Sequence, residues 1–228
     1  NNTTLGRSNF DVPHRILVSA SYRKEWARGI ATTIGLFYSG NSGRPFSLSY
    51  IGDLNGDNVV GSNDLIYVPR REDFGTKIVI PEPTGTDLRT AAQVWEQIMG
   101  LVESTPGLRE YQGRILPRNA LREPWINQLD LRITQSLPSL VDGHSFDLTL
   151  DVQNVFNLLN SSWGLQRYVN FQSFDIFQLV SVGGSPFDEQ GRMRMTYNEP
   201  TTNGQPGIYF TDNFFSRWRM QLGVRYTF

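Results

Sequence analysis

The chain of 228 residues has no cysteine, which excludes a disulfide framework and any thiolate metal site. Lysine is almost missing: of 21 basic residues only Lys24 and Lys77 are lysines, and the rest are arginines. The two histidines, His14 and His144, sit in turn-like stretches far apart in sequence, and neither has a ligand-spaced partner. A net charge of −1 supplies no basic field for nucleic acid. There is no run of roughly 18 apolar residues, which excludes a transmembrane helix but does not bear on barrel strands. Also missing are a Ser–His–Asp order, a phosphate-cradling glycine loop and a nucleophile motif, so no catalysis is expected.

Aromatics make up 12% of the residues, with 21 glycines and 12 prolines, a composition that suits many strands separated by turns. The clearest strand is the last stretch, Arg217-Trp-Arg-Met-Gln-Leu-Gly-Val-Arg-Tyr-Thr-Phe228. Trp218, Met220, Leu222, Val224, Tyr226 and Phe228 alternate without exception with polar residues or glycine, giving one greasy and one wet face. Aromatics stand near both ends of the greasy face, the pattern of a transmembrane barrel strand with aromatic girdles.

Similar alternation runs along the chain. Ile16, Val18, Ala20, Tyr22 and Trp26 oppose Arg15, Ser19, Ser21 and Arg23, with Leu17 the exception. Ala27-Arg-Gly29 then turns the chain into Ile30–Ser39, completing a hairpin. Phe46, Leu48 and Tyr50 predict a third strand. A long excursion follows over 52–108, with a helix expected at Asp87–Glu103 from the 3–4 spacing of Ala91, Val94, Trp95, Ile98, Leu101 and Val102, capped by Thr86 or Asp87. Strands are expected again at Glu110–Leu116, from Asn127 (Leu129, Leu131, Ile133), over Phe146–Gln153 and, less regularly, over Leu165–Ser181. Asn154–Gly164 reads as a turn and 183–213 as a Gly/Pro-rich loop. The count is about eight strands joined alternately by short and long connections. Asp130, Asp147 and Asp151, near Arg132, read as ion pairs of a polar lumen. The arginine excess fits such pairing, and GC-rich coding explains it equally well.

One motif carries chemistry. Asp53-Leu-Asn-Gly-Asp-Asn-Val-Val-Gly-Ser-Asn-Asp64 has the length and oxygen spacing of a Ca²⁺ loop, with Asp53, Asn55, Asp57, the Val59 carbonyl, Gly61 through water, and Asp64 at the ligand positions. It resembles the loop of dockerin modules, which also ends in Asp. Asn58 stands where such loops usually have glycine, and the short Asp64 would weaken binding. The alternative is an ion-free cluster of Asx turns. On either reading the loop is structural.

Several segments resemble TonB-dependent receptors, most closely the Oar-like branch. They are Asp11-Val-Pro-His-Arg15, Ser42-Gly-Arg-Pro-Phe-Ser47, Gly52-Asp-Leu-Asn-Gly-Asp57, Asn63-Asp-Leu-Ile-Tyr-Val-Pro69, Asn127-Gln-Leu-Asp-Leu-Arg132 and Asp151-Val-Gln-Asn-Val-Phe-Asn-Leu-Leu-Asn160. The terminal Phe228 resembles the end of outer-membrane barrels, where Trp218, Tyr226 and Phe228 would serve as the signal read by the barrel assembly machinery. The resemblance implies an all-β, antiparallel up-and-down transmembrane β-barrel of roughly 22 strands, of which residues 1–228 would supply about the last eight, with 52–108 as a long extracellular loop carrying the helix. The chain opens on Asn1 without a visible signal peptide, so the plug and TonB box are expected in residues that precede it. Implied partners are outer-membrane lipid, the assembly machinery, the inner-membrane TonB complex (through those preceding regions) and a cargo the sequence does not name. The implied location is the outer membrane of a Gram-negative bacterium. Two further readings share the same residues: an adhesion or interaction protein on the same barrel, and a secreted soluble β-sandwich binding module.

Overall fold

The structure is a computed structural model that describes residues 6–59, 63–82, 87–169, 173–199, 201–202 and 205–228. It is mainly β-sheet with few helices, and no helix among the described residues is long and apolar enough to cross a membrane. The chain divides into two compact units: a sheet unit of Val12–Gly43, Pro124–Tyr168 and Thr211–Phe228, and an inserted unit of Asn1–Asp11, Arg44–Glu123 and Val169–Phe210.

The sheet unit is built on five antiparallel strands in the order Arg15–Ala27, Ile30–Asn41, Ile126–Pro138, Ser145–Gln153, Arg219–Thr227. Directly opposed residues of an antiparallel pair share a face, so the register decides what each face carries. One rung runs Ala20, Leu36, Leu131, Val152, Met220, and the next Tyr22, Ile34, Ile133, Leu150, Leu222. The intervening rung of the opposite face runs Ser21, Gly35, Arg132, Asp151, Gln221. The period-two pattern of each strand thus lines up across all five, giving one apolar and one polar face. Leu17 and Phe37, paired with Ser39 and Ser19, are exceptions on the polar face. Short connections at Ala27–Ile30 and Pro138–Ser145 lie at one end of the sheet, and the long connections leave from the other. The two outer strands have one neighbour each, so the sheet is open.

Most of the remaining strands belong to the inserted unit, apart from the short Arg167–Tyr168 and Phe210–Thr211 pair, and this is where the expected run of about eight barrel strands departs from the structure. The strand Pro45–Ile51 alternates as anticipated but pairs in parallel with Ser173–Leu179, in a mixed sheet completed by Met193–Tyr197, Ile78–Val79 and Leu121–Arg122. Its serines are buried too: Ser47 exchanges hydrogen bonds with the buried Asn119. Glu110–Leu116 is not a strand but a 3-10 turn at Arg109–Tyr111 followed by a single bridge from Ile115 to Tyr67. Arg167–Tyr168 and Ser173–Leu179 replace the longer strand expected over Leu165–Ser181.

The predicted helix is present as Ala91–Ser104. Its cap is Thr90 rather than Asp87, while Thr86 lies outside the described residues. Thr90 Oγ1 accepts the Gln93 N–H at 3.2 Å and Gln93 Oε1 accepts the Thr90 N–H at 2.7 Å, a reciprocal capping box. Val94, Trp95, Ile98, Met99 and Val102 are buried and join Phe46, Leu48, Tyr50, Phe177 and Tyr197 in one core, with Trp95 stacked on Phe74 at 5.2 Å. The region 52–108 is therefore part of a packed unit with its own core.

The nearby turn depends on Asp73, buried at 1% exposure. It accepts hydrogen bonds from the Arg70 N–H at 2.8 Å and the Tyr67 hydroxyl at 2.9 Å, and pairs with Lys77 at 3.1 Å. Burial alone would raise the Asp73 pKa, but the Arg70, Tyr67 and Lys77 donors outweigh it and hold the carboxyl below its ordinary value. The stabilisation is therefore full above the ordinary carboxylate range and is lost as pH falls through the depressed value. Asp73→Ala should destabilise the inserted unit by about 1–3 kcal/mol at neutral pH. Thermal unfolding followed down to about pH 2 should show the gap from wild type closing, whereas a pH-independent gap would contradict this account.

Candidate functional site

Three features of the structure bear on function: the two-faced sheet, the Asp53–Asp64 loop, and an aromatic cleft at one end of the sheet unit.

The apolar face is exposed. Leu222 is 80% and Val224 73% accessible, and Ile16, Val18, Tyr22, Ile34, Leu36, Phe146, Leu148 and Met220 are exposed as well. The opposite face is a shallow concavity lined by Ser19, Gly35, Asp130, Arg132, Asp151 and Gln221 among others. It holds one bidentate ion pair, with Arg132 Nε and Nη2 reaching the two Asp151 oxygens at 2.5 and 3.0 Å. Ser136 donates to Asp147 at 2.7 Å, and Asp130 accepts from the Gln128 amide at 3.0 Å and the Asn154 N–H at 2.9 Å. The carboxylates singled out in the sequence are thus structural partners on one wall.

Aromatics with polar handles stand at both ends of the apolar stripe. At the hairpin end, Trp26 donates its indole N–H to Thr32 at 2.9 Å and Tyr226 packs on Phe146 at 4.7 Å and lies 6.0 Å from Phe228. Trp218 belongs to the other end, just before the last strand, where its backbone N–H donates to Asn157 Oδ1 at 3.3 Å. The three terminal-strand residues named from the sequence therefore do not form one cluster. From Thr32 to Tyr38 the strand spans about 20 Å at ~3.3 Å per residue, close to the ~25 Å apolar band of outer-membrane barrels.

The cleft lies at the long-connection end, lined by Tyr38, Trp125, Asn127, Phe156, Trp163 and Arg167. Tyr38 folds across Gly40, where an added Cβ would lie 2.5 Å from the Tyr38 hydroxyl and 3.1 Å from Trp125 Nε1. The Tyr38 hydroxyl donates to Asn127 Oδ1 at 2.7 Å, and its ring meets Phe156 edge-on at 6.3 Å. Sequence reasoning missed this cleft. Its aromatics are scattered from position 38 to position 163, and the available signal was only that Trp125, Phe156 and Trp163 fall just outside alternating segments.

Asn154 holds the cleft's floor. At φ 54 it turns the end of strand Ser145–Gln153 into the helical turn Val155–Leu159, and its amide donates to the Gly164 carbonyl at 2.9 Å and the Ser216 carbonyl at 2.7 Å. Its buried Oδ1 has no hydrogen-bond partner and lies where a Gly164 Cβ would be, 2.1 Å away.

The Asp53–Asp64 loop gathers the predicted ligands, though Gly61 lies outside the described residues. Asp53 accepts the Gly56, Asp57 and Asn58 N–H groups at 2.7, 3.2 and 2.8 Å. Asp57 accepts the Val59 N–H at 2.9 Å and the Asn63 amide at 3.0 Å. Asp64 closes the loop by accepting the Leu54 N–H at 2.7 Å and the Asn55 amide at 2.8 Å. The Val59 N–H, the largest influence, holds the Asp57 carboxyl below its ordinary pKa, helped by Asn55 and Asn63. Asn58 adopts φ 63 at the sharp-turn position, as its tolerance of the left-handed region allows. Among the described residues, two donors reach the Asp57 carboxylate and two reach that of Asp64, and a carboxylate offers about four acceptor sites. Among the described residues, however, no group of three or more His, Cys, Asp or Glu side chains converges as a metal centre.

Comparison with family models, with curated proteins and with solved structures returned no match.

Gly164→Ala should force a left-handed alanine and collide with Asn154, costing about 1–3 kcal/mol. Hydrogen exchange should quicken at Asn154 and Ser216 while the Asp53–Asp64 loop is unaffected. Unchanged protection at Asn154 would rule out this role for the glycine.

Proposed function

We propose that the chain is part of the wall of an outer-membrane β-barrel that serves TonB-dependent active transport. The observation that carries the reading is the exposed apolar face, aligned rung by rung across five strands. Fully burying one such side chain is worth roughly 1.5–3 kcal/mol, so leaving half a dozen in water forfeits about as much as the 5–15 kcal/mol margin of a whole domain. Lipid relieves that loss, and aromatic handles at both ends of the stripe suit its two interfaces. A secreted β-sandwich would need a second sheet over the same face, and residues as exposed as Leu222 argue against one.

In this reading the apolar face meets lipid, the Arg132–Asp151 face lines the lumen, and neighbouring strands outside this sequence close the sheet. The inserted unit then stands outside the cell, where it contributes to cargo capture, and chain beyond this segment carries the plug and engages the inner-membrane TonB complex. Trp218, Tyr226 and Phe228 present the last strand to the assembly machinery. The barrel supplies wall and loops rather than catalysis. A second reading, an adhesion protein anchored by the same barrel, draws on the inserted unit's own core, which makes it more than a loop. Loss of TonB energisation should abolish cargo uptake under the first reading and leave surface attachment intact under the second.

Fractionation of the full-length protein should place it in the outer membrane, migrating anomalously on gels unless boiled. Leu222→Arg should cost about 2–4 kcal/mol at the lipid midplane and diminish that heat-modifiable form, whereas Gln221→Arg on the opposite face should preserve it. Recovery of the protein as a soluble species would sink the barrel reading.

We also propose that Ca²⁺ stiffens the Asp53–Asp64 loop, held by Asp53, Asn55, Asp57, the Val59 carbonyl and Asp64. Calcium should slow proteolysis within the loop relative to chelator, and Asp57→Ala should erase the difference. Equal cleavage rates with and without calcium would leave the loop as an ion-free Asx cluster.

A further inference from the structure

The aromatic cleft sits where the apolar stripe stops. Tyr38 shares that face with Val18 and Leu129, and Asn127 is the next residue along the same face. A molecule lying here would have apolar contacts on the sheet side and polar ones at the cleft. That is the layout of an amphiphile's two halves, not of a wholly polar or wholly apolar ligand. Trp163 is 54% exposed and Trp125 is also exposed, so two indole surfaces are open to a ring or glycerol backbone. Arg167 is exposed, lines the cleft, and makes no ion pair with any described carboxylate. No acidic side chain lines the cleft. A planar guanidinium with free donors favours phosphate, which it can bind with two parallel hydrogen bonds.

Resting on the membrane reading above, we propose that this cleft binds the phosphate-bearing headgroup of an anionic membrane lipid. Arg167 contacts the phosphate, Trp163 and Trp125 flank the headgroup, and the acyl chains run over the stripe that begins at Tyr38 and Leu129. The Tyr38–Asn127 hydrogen bond and the Phe156 edge fix the cleft's inner wall, so the site is preformed on strand ends and on the helical turn that Asn154 starts.

The test is native mass spectrometry of the full-length protein in detergent, offered phosphatidylglycerol, phosphatidylcholine or inorganic phosphate. Wild type should retain phosphatidylglycerol about tenfold more strongly than phosphatidylcholine, the scale of one charge-assisted contact. Arg167→Gln should reduce retention to the phosphatidylcholine level, and Trp163→Ala should weaken both lipids, each with heat-modifiability unchanged. Equal retention of the two lipids by wild type, or undiminished phosphatidylglycerol on Arg167→Gln, overturns this inference and leaves the barrel reading standing. Displacement of the lipid by inorganic phosphate at matched concentration would mark a soluble-phosphate site and overturns the lipid assignment. A protein that is soluble without detergent and retains neither lipid overturns both readings together.

Discussion

Register is the constraint on which the rest depends. Each strand of the large sheet alternates by itself, but a slip of one residue at any of the four pairings would send that strand's apolar set to the opposite face. The observed pairings keep Tyr22, Ile34, Ile133, Leu150 and Leu222 on one rung and Arg132 beside Asp151 on the next. The bidentate Arg132–Asp151 contact reinforces the register from the polar side, because it forms only when the Ile126–Pro138 and Ser145–Gln153 strands are correctly in step. Two kinds of chemistry thus agree on one alignment, the kind of consistency between levels that specifies a single structure.

The inserted unit follows a different logic. Its strands are short, its sheet mixes parallel and antiparallel pairs, and its core is assembled from a helix packed on strands brought from distant segments. Polar groups are buried there with partners: Asn119, at φ 57, donates its amide to the Arg7 carbonyl at 2.6 Å and to Asn9 at 2.7 Å, which ties the N-terminal segment to the unit. A long excursion from a sheet becomes an ordered body when it buries enough apolar surface of its own, and here Trp95, Ile98, Phe177 and Tyr197 do so.

How much of this was legible follows from the range of the interactions. The alternating strands and the amphipathic helix are local patterns, and both were read correctly as elements, with the cap displaced to Thr90 because the Thr90–Gln93 box satisfies two N–H groups where Asp87 instead pairs with Arg89. The fate of the Pro45–Ile51 strand was not legible. Its serines look like a wet face, and only the partner Asn119, 72 residues away, reveals that they are buried. The Asx bonding within Asp53–Asp64 was anticipated by its residue types, since short polar side chains reach backbone N–H groups two to five residues on. The aromatic cleft had no sequence pattern at all, because no period relates Tyr38, Trp125 and Trp163.

Glu123 has a broader meaning. Its buried carboxylate accepts the Val169 N–H at 2.9 Å and the Arg44 N–H at 3.4 Å, and its own N–H donates to the Arg44 carbonyl at 2.9 Å. Arg44, Glu123 and Val169 are the residues at which the chain enters, leaves and re-enters the inserted unit. Three of the five crossings of the chain between the units are thus gathered at one side chain, and close-set ends of that kind let a domain be exchanged for another without redrawing its host. A sheet of fixed register can thereby carry different bodies over evolutionary time, provided each newcomer ends in a clasp of similar width.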